Sequence, residues 1–159
     1  MGLRIIVLVA AILSVPASLW AQGAKDPSFF GTWKQNTAKS RQTRATQQNN
    51  RVVVIAPFGE EGWTRVTLNT DDKGQTTEEH YSARFDGKDY PTLGSDQRVI
   101  SLQRVDARTV EATFKRNGRV TTHSRLVLSP DGKTLTQTST GEQDAGRAYQ
   151  NDVRVYERQ

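Results

Sequence analysis

The chain has 159 residues, with 22 lysines and arginines against 17 aspartates and glutamates, and it contains no cysteine. This length corresponds to one domain. The lack of cysteine excludes a disulfide framework, thiolate metal sites, a cysteine nucleophile and the lipidated cysteine of a bacterial lipoprotein. The net charge of +5 would suit a nucleic-acid-binding protein. However, the basic residues are mostly interspersed with acidic ones, so we interpret them as a solvated surface.

The first 21 residues are typical of an export signal. Arg4 gives a short basic start, and the apolar run over 5–15 is shorter than the ~20 residues of a spanning helix. We expect cleavage after Ala21, with cleavage after Ala17 as the alternative. A retained N-terminal anchor is the other interpretation. The sequence therefore predicts a single domain over 22–159, periplasmic or secreted after cleavage.

The folded part opens with Gly31-Thr32-Trp33, at the start of a predicted first strand. A glycine here lets the backbone pass closely under a barrel, and an indole can plug a closed barrel end. Residues 34–51 follow without a helical apolar stripe, so we predict a long loop there.

From residue 51 onward the apolar residues recur with period two, which is typical of strands. Turn signals separate these segments, and Asn117-Gly118 is the strongest of them because both positions accept positive φ. The predicted strands cover 51–56, 62–70, 75–85, 97–105, 109–115, 119–128, 134–139 and 148–158.

Such a series of hairpins predicts an all-β antiparallel meander. Closure removes the exposed edges, so we expect an up-and-down barrel of about 8–10 strands, with a β-sandwich as the alternative. Roughly 30% of the residues after the signal are apolar, which favours a barrel with a partly polar interior.

The two ends of this domain carry a family resemblance. The segments 30–34 (Phe-Gly-Thr-Trp-Lys) and 154–158 (Arg-Val-Tyr-Glu-Arg) closely resemble the first and last strands of fatty-acid-binding proteins, within the lipocalin-like calycin superfamily. Most of the chain after the signal also resembles a family of small exported bacterial proteins of unestablished function. The motifs that carry this second resemblance lie at 31–36, 38–40, 85–91 and 131–133.

The first resemblance implies a carboxylate site. In fatty-acid-binding proteins an Arg-x-Tyr of the final strand holds the ligand carboxylate, and Arg154 and Tyr156 match it, with Arg125 as a third basic donor. Residues two apart share one face of a strand, so these groups can converge on one anion. If Val153 and Val155 form the inward pair instead, Arg154 and Tyr156 point outward.

The resemblance also offers a structural role for an arginine. In lipocalins an arginine near the end of the barrel packs over the first-strand tryptophan and closes the bottom. Arg154 and Arg158 are the candidates for this role, with Trp33 as the partner, and we assign structural roles to Gly31, Trp33 and Arg158.

No pattern in the chain indicates catalysis. His80 and His123 lie on separate predicted strands, and their spacing does not demand a metal site. Hydrolase, metalloprotease and phosphate-binding motifs are absent from the sequence. We therefore predict a protein that is not an enzyme, with no metal and no cofactor.

The sequence thus predicts an exported, monomeric barrel that binds a small hydrophobic or amphipathic ligand, with a carboxylate as one candidate end group. It predicts neither a nucleic-acid partner nor an integral membrane protein. The alternative is a protein-binding module, such as an inhibitor of an extracytoplasmic hydrolase, with a filled barrel. The candidate ligand-binding residues are Trp63, Tyr81, Phe85, Phe114, Arg125, Arg154 and Tyr156.

Overall fold

The computed structural model describes residues 28–42, 50–94, 98–142 and 148–159. The expected signal peptide and its cleavage site lie outside these residues. Within the described ranges no helix is long and apolar enough to cross a membrane. The strands are β1 (Gly31–Arg41), β2 (Asn50–Pro57), β3 (Gly62–Thr70), β4 (Thr76–Arg84), β5 (Tyr90–Leu93), β6 (Arg98–Asp106), β7 (Thr109–Arg116), β8 (Arg119–Leu128), β9 (Thr134–Glu142) and β10 (Ala148–Arg158).

The strands form a closed antiparallel barrel in which each strand pairs with its neighbours in sequence. The first strand closes the ring: Trp33 lies opposite Val53 of β2 on one side and Arg158 of β10 on the other. The predicted up-and-down barrel is confirmed. The alternative β-sandwich is wrong, because β1 pairs with both β2 and β10 and leaves no break between two sheets.

The predicted loop over 34–51 is wrong for its first part, because β1 continues to Arg41. The strand escaped prediction because its buried inward position after Trp33 is the polar Gln35, so no apolar alternation marks it. Residues 43–49 of the predicted loop lie outside the described ones. Strand β5 was not predicted either: it spans four residues, includes Pro91 and pairs at only two positions with each neighbour.

Apolar side chains fill one end of the barrel, which we call the tryptophan end. Trp33 and Trp63 are fully buried there. The ring of Trp63 lies edge-on to Phe29 at 5.5 Å and to Phe85 at 5.2 Å between centroids. The opposite end, formed by the turns at 71–75 and 117–118, we call the distal end. The interior therefore has an aromatic floor at one end.

Arg158 closes the tryptophan end of the barrel. Its guanidinium carbon lies 4.2 Å from the centroid of the Trp33 ring. Its nitrogens donate to the carbonyl of Gly132 at 2.7 Å, to that of Phe30 at 2.8 Å and to that of Ser28. Because these acceptors belong to the start of β1 and to the β8–β9 turn, one side chain ties three parts of the chain together. This is the geometry expected for the closing arginine, and it falls on Arg158 rather than Arg154.

Gly31 is required by that arrangement. Its φ is +139°, and a Cβ atom there would lie 2.6 Å from Nη1 of Arg158. Any larger residue would have to displace the guanidinium from its carbonyl acceptors.

We predict that Gly31→Ala lowers the free energy of unfolding by about 1–3 kcal/mol, because it combines an unfavourable φ with displacement of Arg158. Urea unfolding measures the change. Gly74→Ala is the matched control, since Gly74 also has a positive φ (+79°) but has no atom within 4 Å of the added Cβ. Equal losses of unfolding free energy in the two variants would show that displacement of Arg158 does not contribute to the effect.

Candidate functional site

Above the aromatic floor, the inward face of the barrel becomes polar. Strand alternation buries one or more polar side chains from each of β1, β3, β8, β9 and β10 at this level. The set comprises Gln35, Arg65, Ser124, Gln137, Ser139 and Asp152, each no more than 7% exposed. So many buried polar groups in one layer need partners within it.

Arg65 is the centre of this layer. Its Nη2 donates to Oε1 of Gln137 at 3.0 Å, and Gln137 Nε2 donates in turn to the hydroxyls of Ser124 and Ser139, both at 3.3 Å. The two serine hydroxyls are 2.8 Å apart. Gln137 therefore connects a side chain of β3 to β8 and β9 across the interior and fixes the orientation of the guanidinium.

No acidic side chain among the described residues contacts the charge of Arg65. Its side chain is 5% exposed, and within the described ranges it forms no ion pair. Its Nε has no hydrogen-bond acceptor among the described residues. A guanidinium cannot lose its proton at any physiological pH, so burial without a counter-charge is unfavourable.

Two buried tyrosines lie against this charge. Burial raises the pKa of Tyr81, and the guanidinium of Arg65 only partly offsets the effect. Burial acts in the same direction on Tyr156, but the guanidinium groups of Arg51, Arg65 and Arg154 together outweigh it and lower the pKa of Tyr156. Neither hydroxyl has a hydrogen-bond partner of normal geometry among the described residues.

The last strand presents its polar face to the interior. Asp152 and Tyr156 are buried at 2% and 0% exposure, and Arg154 shares their face, with its Nη2 3.6 Å from the Asp152 carboxylate. Val153 and Val155 occupy the alternate, partly exposed positions. The two orientations that the sequence left open are thus resolved in favour of an inward Arg154 and Tyr156.

The predicted aromatic residues divide into two groups. Tyr81 lies within the polar layer and packs edge-on to Phe114, with 6.3 Å between ring centroids. Trp63 and Phe85 instead belong to the aromatic floor, where Arg104 stacks over Phe85 at 4.3 Å. The structure therefore brings Tyr81 and Phe114, but not Trp63 and Phe85, to the polar layer.

Arg125 does not face the interior, contrary to expectation. It is exposed and pairs with Glu111 at 2.7 Å on the outer wall. The reason is strand parity: Ser124 and Leu126, its neighbours on β8, are the buried inward residues.

The buried cation of the interior is instead Arg65, which is not among the predicted site residues. The alternation of β3 places Arg65 on the same face as Trp63, and this pattern could have identified Arg65 as an inward residue. Arg51 likewise shares the inward face of β2 with Val53 and Ile55, and it donates to Asn69.

The two histidines are far apart in the sheet order. His80 on β4 lies 3.4 Å from Glu78, and His123 on β8 contacts the Thr113 hydroxyl at 3.1 Å. Strands β4 and β8 are not neighbours. Among the described residues, no group of three histidine or acidic side chains has the arrangement of a metal site.

The closed antiparallel barrel with a Gly-x-Trp first strand has a calycin-like fold, the fold of lipocalins and fatty-acid-binding proteins. The crystal structure of the fluorescent protein UnaG is similar to it, with a TM-score of 0.54 and 16% sequence identity. The match covers 82% of this chain and 97% of UnaG. No protein-family model matches the sequence, and no curated protein sequence matches it. At this identity the likeness defines the fold alone.

We predict that Tyr156 ionises below the usual tyrosine pKa of about 10, because three guanidinium groups favour the phenolate. The folded protein then binds fewer protons than the unfolded chain. Its free energy of unfolding should therefore rise with pH from the lowered pKa up to about 10. Absorbance at 295 nm reports the ionisation, and Tyr156→Phe should remove both the early titration and the stability increase. A wild-type titration that matches the variant would contradict this assignment.

Proposed function

We propose that this protein is an exported, non-enzymatic barrel that binds a small amphipathic molecule and holds its anionic end, with a carboxylate as the first candidate, against Arg65. The observation that carries the proposal is the buried guanidinium of Arg65, which contacts no acidic side chain among the described residues. A ligand anion would supply the missing counter-charge.

The hydrogen-bonding groups around Arg65 support an anion in particular. The buried atoms that lack a hydrogen-bond partner of normal geometry among the described residues include the Nε of Arg65 and the hydroxyls of Tyr81 and Tyr156. All three can donate a hydrogen bond, and both tyrosines lie close enough to Arg65 to interact with its charge. One carboxylate can accept several such hydrogen bonds, and charge-assisted ones are the stronger kind.

The charge balance of the interior points the same way. Among the described residues, Arg51, Arg65 and Arg154 act on this layer, together with the acidic side chains of Asp152, beside Arg154, and Glu79. The positive potential of the buried Arg65 would attract an anion and would oppose binding of a cation.

The arginine side chains of the interior are suited to holding a ligand rather than to catalysing a reaction. Arginine holds its protons at neutral pH and so cannot act as a general acid or base. The basic start and short apolar run at the N-terminus support export of the protein.

A protein-binding role is the second candidate, and one feature outside the interior favours it. A groove of about 610 Å³ at the tryptophan end is lined by Phe29, Phe30, Arg104 and residues 106–108. Phe30 is 37% exposed beside it. A partner protein held there would be released by Phe30→Ser and would be indifferent to changes at Arg65.

We predict that Arg65→Met lowers the affinity for hexadecanoate about 10–100-fold, the loss expected for hydrogen bonds to a charged group. The free energy of unfolding should stay level or rise, because an uncompensated buried charge is removed. Isothermal titration calorimetry and urea unfolding measure the two quantities.

The matched control is Arg125→Met, which removes an arginine from the outer face of the barrel. It should leave hexadecanoate affinity unchanged. A large loss of stability in Arg65→Met, with unchanged affinity, would mean that Arg65 has a structural role and would refute the proposal.

We also predict that Arg154→Ala weakens carboxylate binding about tenfold or more. This change removes a partner of the buried Asp152, so stability should fall as well. Combining it with Asp152→Asn should restore most of the stability but not the affinity. Recovery of affinity in the double variant would contradict a direct role for Arg154 in binding.

A further inference from the structure

Gln35 is a buried hydrogen-bond acceptor that the binding of an anion at Arg65 does not satisfy. The side chain is 7% exposed, and its Oε1 has no hydrogen-bond partner among the described residues. A buried carbonyl oxygen without a partner is unfavourable, because it has lost its hydrogen bonds to water and gained none in return. The oxygen is therefore a group that a bound ligand could satisfy.

Gln35 occupies the same part of the interior as Arg65. On β1 it follows the floor residue Trp33 by two positions. Arg65 follows Trp63 by two positions on β3, so both side chains take the first inward position above the aromatic floor. Gln35 also lies directly opposite Tyr156 in the pairing of β1 with β10, and Tyr156 is close enough to Arg65 to interact with its charge.

The hydrogen-bonding character of this oxygen is opposite to that of the groups around it. The unpartnered atoms of Arg65, Tyr81 and Tyr156 can each donate a hydrogen bond, whereas an amide oxygen can only accept one. The hydroxyl of Tyr156 does not serve as its donor, because neither atom has a partner of normal geometry among the described residues. A ligand that satisfies the whole set must present an acceptor to the donors and a donor to Gln35.

We propose that the ligand of this barrel carries a hydrogen-bond donor, a hydroxyl or an amide N–H, within a few atoms of its anionic group, and that Gln35 accepts the hydrogen bond from it. The anionic group binds at Arg65. A plain fatty acid would leave the Gln35 oxygen unpaired, so this residue makes the site specific for hydroxy acids or N-acyl amino acids. The inference rests on the proposed function, since it adds a second contact to the head of the same ligand.

The wild-type protein provides the first test. Hexadecanoate, the separate enantiomers of 2-hydroxyhexadecanoate and 3-hydroxyhexadecanoate, and N-tetradecanoylglycine are titrated calorimetrically at neutral pH. At least one donor-bearing acid should bind about fivefold or more tightly than hexadecanoate, the gain expected when a buried acceptor is satisfied. The hydroxy acids and the acylglycine distinguish the two sources of the donor. The methyl ethers of the hydroxy acids are the controls, because they keep the oxygen but cannot donate, and they should show no gain.

Substitution of Gln35 by an apolar residue of similar length provides the second test. Gln35→Met should bring the affinity ratio between the best donor-bearing acid and hexadecanoate to about one. Gln103→Met is the matched control, because Gln103 is an exposed glutamine of β6, and it should keep the wild-type ratio. Urea unfolding checks that both variants fold, and Gln35→Met should be at least as stable as the wild type because an unpaired buried polar group is removed.

A charged substitution tests the position of Gln35 relative to the anion site. Gln35→Glu places a carboxylate where it can pair with Arg65 and compete with the ligand anion. It should therefore weaken the binding of hexadecanoate as well as that of the donor-bearing acids, by about tenfold or more. A folded Gln35→Glu variant that binds hexadecanoate like the wild type would show that Gln35 lies away from the anion site and would overturn the inference.

The outcomes separate this inference from the proposed function. If hexadecanoate binds through Arg65 and no donor-bearing acid binds more tightly, the specificity assigned to Gln35 is wrong and the anion site stands. A preference for a donor-bearing acid that persists in Gln35→Met, or that the methyl ethers share, would also overturn the role of Gln35. Failure of every acid to bind would overturn the two proposals together.

Discussion

The contact between Arg158 and Trp33 is the constraint on which the barrel depends. The indole closes the floor of the interior, and the guanidinium stacked on it satisfies carbonyls from the start of β1 and from the β8–β9 turn. The partners of Arg158 lie up to 130 residues away along the chain. Without disulfides, this junction of the first and last strands holds the two ends of the meander together.

Two arginines of the same barrel illustrate opposite uses of one side chain. Arg158 meets an aromatic face and three carbonyl oxygens, so its charge is fully accommodated by the fold. Arg65 has one amide oxygen, supplied by Gln137, and no acidic contact within the described ranges. A protein that gained nothing from the charge of Arg65 would be more stable with an apolar residue there. Under the proposed function, this contrast separates the structural role of Arg158 from the binding role of Arg65.

The sequence predicted the barrel and most strands because a half-buried strand leaves a period-two pattern, and because turns such as Asn117-Gly118, at φ values of 50° and 74°, demand particular residues. It failed where the interior is polar. Gln35 is buried but carries no apolar signal, so the rest of β1 was taken for a loop. The sequence predicted an inward Arg125, whereas the structure places Arg125 outside and Arg65 inside. Alternation within a strand fixes which residues share a face, but only pairing across the closed sheet fixes which face is inside.

The closing junction also bears on how the chain can fold. Phe30 and Arg158 are hydrogen-bonded although 128 residues separate them, so the floor cannot form until β10 has been synthesised. Contacts of such long range make folding slow, because much of the chain must be ordered before they are gained. For a protein exported as proposed, that delay is useful: a polypeptide whose barrel is still open can be threaded through a membrane pore, whereas a closed barrel cannot.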